Sequence, residues 1–217
     1  MTALRAALPP APKVLEGRYV RLEPLAPSHA IDLFAAANVP DASERFAYLF
    51  EAPPASLGEI ERWIAGLEGK ADPMQFAVID KTTGRAGGRQ ALMRIVPEHG
   101  VIEIGSIYWG PAIARTRLAT EALYLFARHS FEDLGYRRFE WKCNDRNEPS
   151  KRAALRFGFT FEGIFRQHMI AKGENRDTAW FSMLDSEWPA RKAEFGRWLA
   201  LENFHADGRQ KTALDVR

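Results

Sequence analysis

The hydrophobic pattern of the chain changes its period at a glycine and a proline near the middle. Before this point, the apolar run from Val101 to Trp109 ends at Gly110-Pro111, as a strand does. After it, apolar residues recur at helical spacing, namely at Leu118, Ala119, Ala122, Leu125, Phe126 and His129. Gly135 then stands where a left-handed residue closes a helix. A chain with both periods is predicted to belong to the α/β (α+β) class, with helices flanking a sheet.

Other apolar runs bounded by turn residues predict the remaining strands. Together with 101–109 they make seven, the others being at 19–25, 75–80, 89–96, 138–142, 161–170 and 176–184. The runs at 75–80 and 89–96 are joined by a glycine-rich turn and should form an antiparallel meander with 101–109. Helices are predicted through 31–34, from Ser56, where Glu59 completes a capping box, from about Ser150 to Gly158, and over about 189–201.

Composition favours a single soluble domain. Hydrophobic residues make up 46% of the 217 residues and charged residues 27%, with no break in composition, so one core is expected. The net charge of +2 and the short pairs of basic residues give no stripe for a nucleic acid. No apolar run approaches the roughly 18 residues of a membrane span.

Cysteine and histidine usage excludes further classes. Cys143 is the only cysteine, so no intramolecular disulfide and no cysteine-bound zinc can form, and a cytoplasmic setting is expected. The five histidines form no pair at helical spacing, so no metal site is expected. The predicted organisation is a flexible tail rich in alanine and proline at 1–13, one domain at 14–188, and a helix and tail at 189–217.

Two arginines mark the start of the predicted central helix. The first turn of a helix has backbone N–H groups without intrahelical acceptors, and its dipole favours anions. Arg115 and Arg117 lie at this positive end, where a bound phosphate would stabilise them. The alternative is that they are solvated or paired with Glu121 or a more distant carboxylate.

The same junction resembles the pyrophosphate loop of GNAT acyltransferases, Gln/Arg-x-x-Gly-x-Gly/Ala running into a helix. The marked positions here are Ala114, Arg117 and Ala119, so the first residue and the central glycine differ from the family pattern. The resemblance implies acetyl-CoA as co-substrate. It assigns cofactor binding to Ile107, Tyr108, Trp109, Arg115, Thr116, Arg117, Leu118, Ala119 and Thr120.

A second stretch, 147–163, resembles the Asn-x-x-Ser, Gly-Phe, Glu-Gly segment of the RimJ/RimL-like N-acetyltransferases. The resemblance implies that Asn147 and Ser150, with Ala153, lie beside the pantetheine arm, and that Ser150 serves catalysis near the thioester sulfur. Many GNAT enzymes have a tyrosine as the acid where this chain has Ala154, so that Ser150, a water molecule or no protein group serves as the acid here. The alternative is that Ser150 only caps a helix and Gly158 only ends it.

The run 101–109 resembles the family's fourth strand, which splays from the fifth, here 139–142. The resemblance implies unpaired backbone groups that hold the pantetheine and polarise the acyl carbonyl. Glu103 is the candidate base and acceptor-binding residue; the alternative places it on the solvent face of the strand.

Two further segments are assigned to the acceptor. The aromatic stretch 46–54 supplies Tyr48 and Phe50, and a late strand supplies His168. Core packing is the alternative for these aromatic residues, and a structural role is the alternative for His168.

The resemblance therefore predicts an N-acyltransferase that moves an acetyl group from acetyl-CoA directly to a primary amine. The acceptor is left open between a protein N-terminus and a small-molecule amine, and the oligomeric state is also open, with a homodimer among the options. Arg117 and Ala154 differ from the family pattern. These differences favour a second hypothesis, in which the chain is a catalytically inactive module that binds acyl-CoA or a partner protein.

Overall fold

The computed structural model describes residues 6–67 and 69–216. Its strands are β1 Leu15–Glu16, β2 Val20–Pro24, β3 Met74–Asp80, β4 Arg85–Val96, β5 Val101–Trp109, β6 Arg138–Asn144, β7 Thr160–Ala171 and β8 Glu174–Leu184. Its α-helices are α1 Ala30–Ala37, α2 Ala42–Phe46, α3 Leu57–Ala65, α4 Arg117–Arg128, α5 Glu148–Arg156 and α6 Trp188–Trp198. Within the described residues the sheet has the strand order β1-β2-β3-β4-β5-β6-β8-β7.

The α/β (α+β) class is confirmed, but the predicted number of seven strands is wrong. The eighth strand is β1, which has two residues and pairs antiparallel with β2. Two residues are too short to show a period in the sequence. The splay predicted between the strands now labelled β5 and β6 stays a prediction.

The described residues divide into two compact units. The N-terminal unit consists of Ala11–Met93 and Ile104–Leu125, and the C-terminal unit of residues 6–10, Arg94–Glu103 and 126–216. Among the described residues, no helix has both the length and the apolar character that crossing a membrane requires.

In the N-terminal unit, helices α1 and α3 pack on strand β3. The strand pairs antiparallel with both β2 and β4, and all of its residues except Asp80 are buried. Leu33 and Ile64 from the helices contact Ala77 and Ile79 of the strand. Burial of such side chains stabilises the fold by about 1.5–3 kcal/mol for each large one.

The predicted start of α3 is confirmed, but its capping box is wrong in detail. The helix begins directly after Ser56, whose side chain makes no capping hydrogen bond. The Glu59 carboxylate instead accepts from the N–H of Ala55 at 2.8 Å. The carboxylate of Glu59 therefore stabilises this helix start through its own charge and not through a capping box.

In the C-terminal unit, β6, β8 and β7 pair antiparallel around an aromatic core. The ring of Phe139 on β6 lies 5.6 Å from that of Phe159 and 6.1 Å from that of Phe131. Helix α6 adds Trp188, which stacks on Phe131 at 5.3 Å. The aromatic core therefore packs against the face of β6 that carries Phe139.

Residues 6–10 of the predicted N-terminal tail belong to the C-terminal unit. The N–H groups of Ala7 and Leu8 donate to the carbonyls of Pro97 and Leu134, at 3.0 and 2.8 Å. Residues 1–5 of the predicted tail, and residue 217 of the C-terminal one, lie outside the described residues.

Candidate active site

The loop between β5 and α4 is wound into tight turns. The N–H groups of Ile113 and Ala114 both donate to the carbonyl of Gly110, at 3.0 and 2.9 Å. Arg115 has a left-handed backbone with φ 62°, and Thr116 caps the helix by accepting from the N–H of Leu118 at 3.1 Å. Helix α4 therefore begins at Arg117, as the spacing from Leu118 predicts.

Glycine is required where this loop meets β4. A Cβ on Gly110 would lie 2.8 Å from the carbonyl oxygen of Gly87 and 3.1 Å from Ala36. A Cβ on Gly88 would lie 2.5 Å from the carbonyl oxygen of Tyr108. These approaches are closer than carbon and oxygen tolerate, so the backbone position of the loop depends on both glycines.

The arginine at the family's central glycine position is accommodated in the helix. Arg117 is the first residue of α4, so this position does not need the conformational freedom of glycine. Its guanidinium lies 4.3 Å from the centre of the Tyr19 ring, a cation–π contact.

Glu121, the sequence-based candidate partner of these arginines, is buried in a backbone hydrogen-bond cluster. Its carboxylate accepts from the N–H groups of Arg18, Tyr19 and Val20, at 2.8, 2.6 and 2.7 Å. The carboxylate therefore attaches the start of β2 to the first turns of α4.

The N-terminal unit contains a cavity of about 230 Å³. Its apolar walls come from α1, α2, α3 and β5, with Leu33, Ala37, Phe46, Ile60, Trp63 and Tyr108 among them. The Tyr108 hydroxyl donates to the carbonyl of Ala36 at 2.7 Å, and its ring lies 4.6 Å from that of Phe46. The residues assigned to cofactor binding thus include one, Tyr108, whose side chain faces this cavity.

The segment 46–54, which was predicted to bind the acceptor, does line the cavity, but not through the side chains of Tyr48 and Phe50. Residues 51–54 and Phe46 line it, whereas Tyr48 and Phe50 are 40% and 60% exposed and are not among the lining residues. The aromatic composition of 46–54 pointed to the segment, but only the backbone course decides which of its side chains turn inward.

Arg89 is a cavity residue that the sequence reasoning missed. It is buried, forms an ion pair with Glu51 and lies 4.4 Å from the centre of the Trp63 ring. Burial lowers the pKa of its guanidinium to about 10. An arginine that opens an apolar strand gives no sequence signal of this role, because such a residue is usually exposed.

Arg89 also holds an irregular point of β5. Ser106 has a left-handed backbone with φ 49°, and Nη1 of Arg89 donates to both its carbonyl and its hydroxyl oxygen at 2.6 Å. The amide of Gln75 donates to the same hydroxyl at 2.9 Å. These contacts keep a non-glycine residue in a conformation that costs about 1–3 kcal/mol.

In the C-terminal unit, Glu103 is buried among cations. Its carboxylate accepts from Nζ of Lys142 at 2.9 Å and lies 3.1 Å from Nε of Arg94. Burial raises the pKa of Glu103, and the Lys142 ammonium opposes that shift. The alternative that placed Glu103 on the solvent face of the strand is therefore wrong.

Asn147 and Ser150 lie together at the start of α5. The side chain of Asn147 accepts from the N–H of Ser150 at 3.1 Å, so Asn147 is the cap and the alternative of Ser150 as the cap is wrong. The Ser150 hydroxyl accepts from Nε1 of Trp141 at 3.0 Å. Ala154, at the family's tyrosine position, is fully buried.

His168 lies in an aromatic environment on β7. Its Nδ1 is 3.0 Å from the hydroxyl of Thr178, and its ring is 5.5 Å from that of Phe165 and 5.9 Å from that of Trp180. The ammonium of Lys142 lies over the same Trp180 ring at 3.8 Å. Burial first, and then the positive charge of Arg94, lower the pKa of His168, which favours its neutral form.

No group of three or more histidine, cysteine or acidic side chains within residues 6–67 and 69–216 is arranged to hold a metal ion.

Comparison with known proteins supports a common family. The sequence profile of the Acetyltransferase (GNAT) domain matches residues 20–160. The uncharacterized N-acetyltransferase p20 of Bacillus licheniformis is 32% identical over 126 residues, which are 56% of this chain and 67% of that protein. A GCN5-related N-acetyltransferase from Brucella melitensis is 59% identical, with a TM-score of 0.95 over 97% of this chain and 96% of that one.

The likeness to RimL extends to the fold. A structure of RimL, a ribosomal L7/L12 α-N-protein acetyltransferase in complex with coenzyme A, is 19% identical, with a TM-score of 0.66 over 79% of this chain and 98% of that one. GNAT acetyltransferases use acetyl-CoA and act on an amine acceptor. Because the family profile spans both the loop before α4 and the segment around Asn147, the chain belongs to the GNAT family and is an acetyltransferase.

Proposed function

We propose that this acetyltransferase moves the acetyl group of acetyl-CoA directly onto a primary amine. The observation that carries the proposal is the GNAT profile match over residues 20–160, which includes every sequence-predicted cofactor residue. The predicted acceptor classes, a protein N-terminus and a small-molecule amine, both supply a nucleophilic nitrogen. Bound acetyl-CoA supplies an electrophilic thioester carbonyl and a thiolate leaving group.

The start of α4 fits a diphosphate. The first turn of a helix directs backbone N–H groups and the positive end of the helix dipole toward an anion, and the exposed Arg115 adds a positive charge next to the start of α4. Ala119, in the first turn of α4, has a small and buried side chain, so it does not obstruct the approach of a phosphate to the helix start. We assign the diphosphate to residues 115–120, and the adjoining part of the cofactor to Ile107, Tyr108 and Trp109.

The polar residues of the C-terminal unit supply the proton-transfer roles in this proposal. Glu103 is the base, because burial raises its pKa toward the range in which it accepts a proton from an ammonium. Ser150 is the donor to the departing thiolate, and its hydroxyl is oriented by Trp141. Asn147 positions Ser150 through the helix cap, with Ala153 beside them.

Direct transfer is supported by the state of the cysteine. Cys143 is buried, and burial raises the pKa of its thiol, so little thiolate forms near neutral pH. A covalent acetyl-enzyme at this residue is therefore disfavoured. Transfer then depends on bringing the amine and the thioester together and on polarising the carbonyl.

The test is a thiol-release assay with acetyl-CoA across a panel of peptides and small amines. We expect thiol release only when an amine is present, and unchanged rates for Cys143→Ala. Thiol release that needs no amine, or none with any amine, would overturn the proposal, and a large loss in Cys143→Ala would overturn direct transfer.

Two variants test the residue roles in the same assay. Ser150→Ala should lower kcat about tenfold or more, since acid–base groups contribute at least about that much, whereas the exposed Ser186→Ala should not. Arg117→Ala should raise KM for acetyl-CoA about fivefold, the effect of one charge near a helix start, whereas the exposed Arg152→Ala should leave it unchanged. Equal effects in variant and control would contradict the assignments.

A further inference from the structure

The cavity of the N-terminal unit has the size of a small ligand. Its volume of about 230 Å³ is below the roughly 300–1,000 Å³ of pockets for drug-sized molecules. Trp63, Phe46 and Tyr108 give it aromatic walls, and Leu33 and Ile60 give it aliphatic ones. Such walls favour a ligand with one compact apolar or aromatic group.

One wall of this apolar cavity carries an ion pair. The Arg89 side chain is only 6% exposed, whereas its partner Glu51, in the segment between α2 and α3, is 34% exposed. Burying the Arg89 charge costs desolvation energy, and a partly exposed carboxylate returns only part of it, so an arginine at this apolar wall is explained better by a role in binding than by stability.

The guanidinium of Arg89 has donors to spare. Nη1 donates twice to Ser106 and Nη2 donates to Glu51, while Nε has no hydrogen-bond partner among the described residues. Burial lowers the pKa of Arg89 to about 10, because removal from water disfavours the charged form. A further acceptor oxygen would complete the site.

We propose that this cavity binds the acetyl acceptor, and that the acceptor is an α-amino acid with a large apolar side chain. The inference rests on the proposed function, since it names the substrate class of the amine. Arg89 takes the carboxylate of the ligand, Glu51 takes its ammonium, and the side chain lies between Trp63 and Phe46.

Charge complementarity favours a zwitterion over its singly charged relatives. A ligand with only a carboxylate would meet the carboxylates of Glu51 and Glu59, which both line the cavity. A ligand with only an ammonium would meet the buried charge of Arg89. An amino acid places one group opposite each, so both ligand charges are paired when they leave water.

The experiment compares matched ligands by titration calorimetry and by thiol release with acetyl-CoA. The ligands are L-phenylalanine, L-phenylalaninamide, 3-phenylpropionate and L-alanine. L-Phenylalanine should bind at least about tenfold more tightly than each of the others, the effect of losing one charge-assisted contact or the apolar group. It should also have the highest kcat/KM among the amines.

Two variants separate ligand binding from a structural role of the pair. Arg89→Lys should raise KM for L-phenylalanine about tenfold while changing KM for phenethylamine, which has no carboxylate, by less than about twofold. Glu51→Gln should raise KM for both amines about tenfold while changing the Kd of 3-phenylpropionate, which has no ammonium, by less than about twofold. The control is Glu61→Ala, an exposed position on α3. A purely structural pair would lower Tm in both variants and weaken the binding of all three ligands by the same factor, which overturns the proposal.

Failure of this inference is distinguishable from failure of the proposed function. If L-phenylalaninamide is bound and acetylated as well as L-phenylalanine, the cavity does not recognise a carboxylate and a peptide N-terminus is favoured instead. The inference is then wrong while amine acetylation stands. If no amine promotes thiol release, the proposed function itself is wrong.

Discussion

Glu121→Ala should be among the most destabilising single changes in the N-terminal unit. The wild-type carboxylate accepts three consecutive backbone N–H groups, and two of them belong to the buried residues Tyr19 and Val20. A buried donor without a partner costs about 1–3 kcal/mol, whereas water can reach the less buried N–H of Arg18. With two such donors, we therefore expect a loss of about 2–6 kcal/mol in the free energy of unfolding.

Urea denaturation followed by fluorescence and circular dichroism measures this loss, with Glu61→Ala as the matched exposed control. Glu121→Gln keeps one acceptor oxygen for Tyr19 and Val20, so it should lose only about 1–2 kcal/mol. If Glu121→Ala stays within about 0.5 kcal/mol of the control, the range of ordinary surface substitutions, the cluster does not stabilise the fold as argued.

Gly17→Ala gives an independent check of the same geometry. A Cβ at this position would lie 2.6 Å from the carboxylate carbon of Glu121, and 2.9 Å from the carbonyl oxygen of Val20. The substitution should destabilise wild type more than it destabilises Glu121→Ala, because the latter removes one of the two clashes. A double-mutant cycle without coupling would contradict this close contact.

Three further outcomes are expected. Hydrogen bonding from Arg138 lowers the pKa of Glu162 to about 2; its folded-state pKa is depressed, so the stability it contributes is present above about pH 4.5 and lost as the pH falls toward 2. The difference in urea midpoint between wild type and Glu162→Gln should shrink over that range, and a constant difference would refute the linkage. Burial raises the pKa of Cys143, so alkylation at pH 8 should be much slower in the folded than in the urea-unfolded protein, and equal rates would contradict its burial. Tyr108→Phe removes the hydrogen bond to the carbonyl of Ala36 and should cost about 1 kcal/mol in urea denaturation, whereas Tyr108→Leu, which also removes the ring contact with Phe46, should cost more.

The elements that could be predicted have strong local signals. The period change at Gly110 placed β5 and α4 on their correct sides, and Gly135 and Gly158 have the left-handed backbones expected after helices, with φ 75° and 85°. The elements that were missed, β1 and α2, have two and five residues. Short elements like these depend on tertiary partners and not on their own propensity.

The candidate site also has some features that local sequence signals predict and others that they do not. The family motifs located the loop before α4 and the segment of Asn147 and Ser150 at the start of α5, because both depend on residues close together in the chain, but they did not identify Asn147 as the cap. The environment of Glu103 could not be predicted, since the cation that it contacts, Lys142, is 39 positions away. Its burial, and with it the direction of its pKa shift, follows from strand neighbours that a period does not identify.

By itself, the sequence determined the fold class, the family and the positions of the motifs that resemble those of the family, because hydrophobic period, turn residues and motif spacing are all local properties of the chain. The tertiary structure alone decided that Arg89 meets Glu51 at the wall of an apolar cavity and that Glu121 serves the start of β2. These partners are 38 and 101 positions apart, and the cost of burying a charge is removed only where the fold supplies its counterpart.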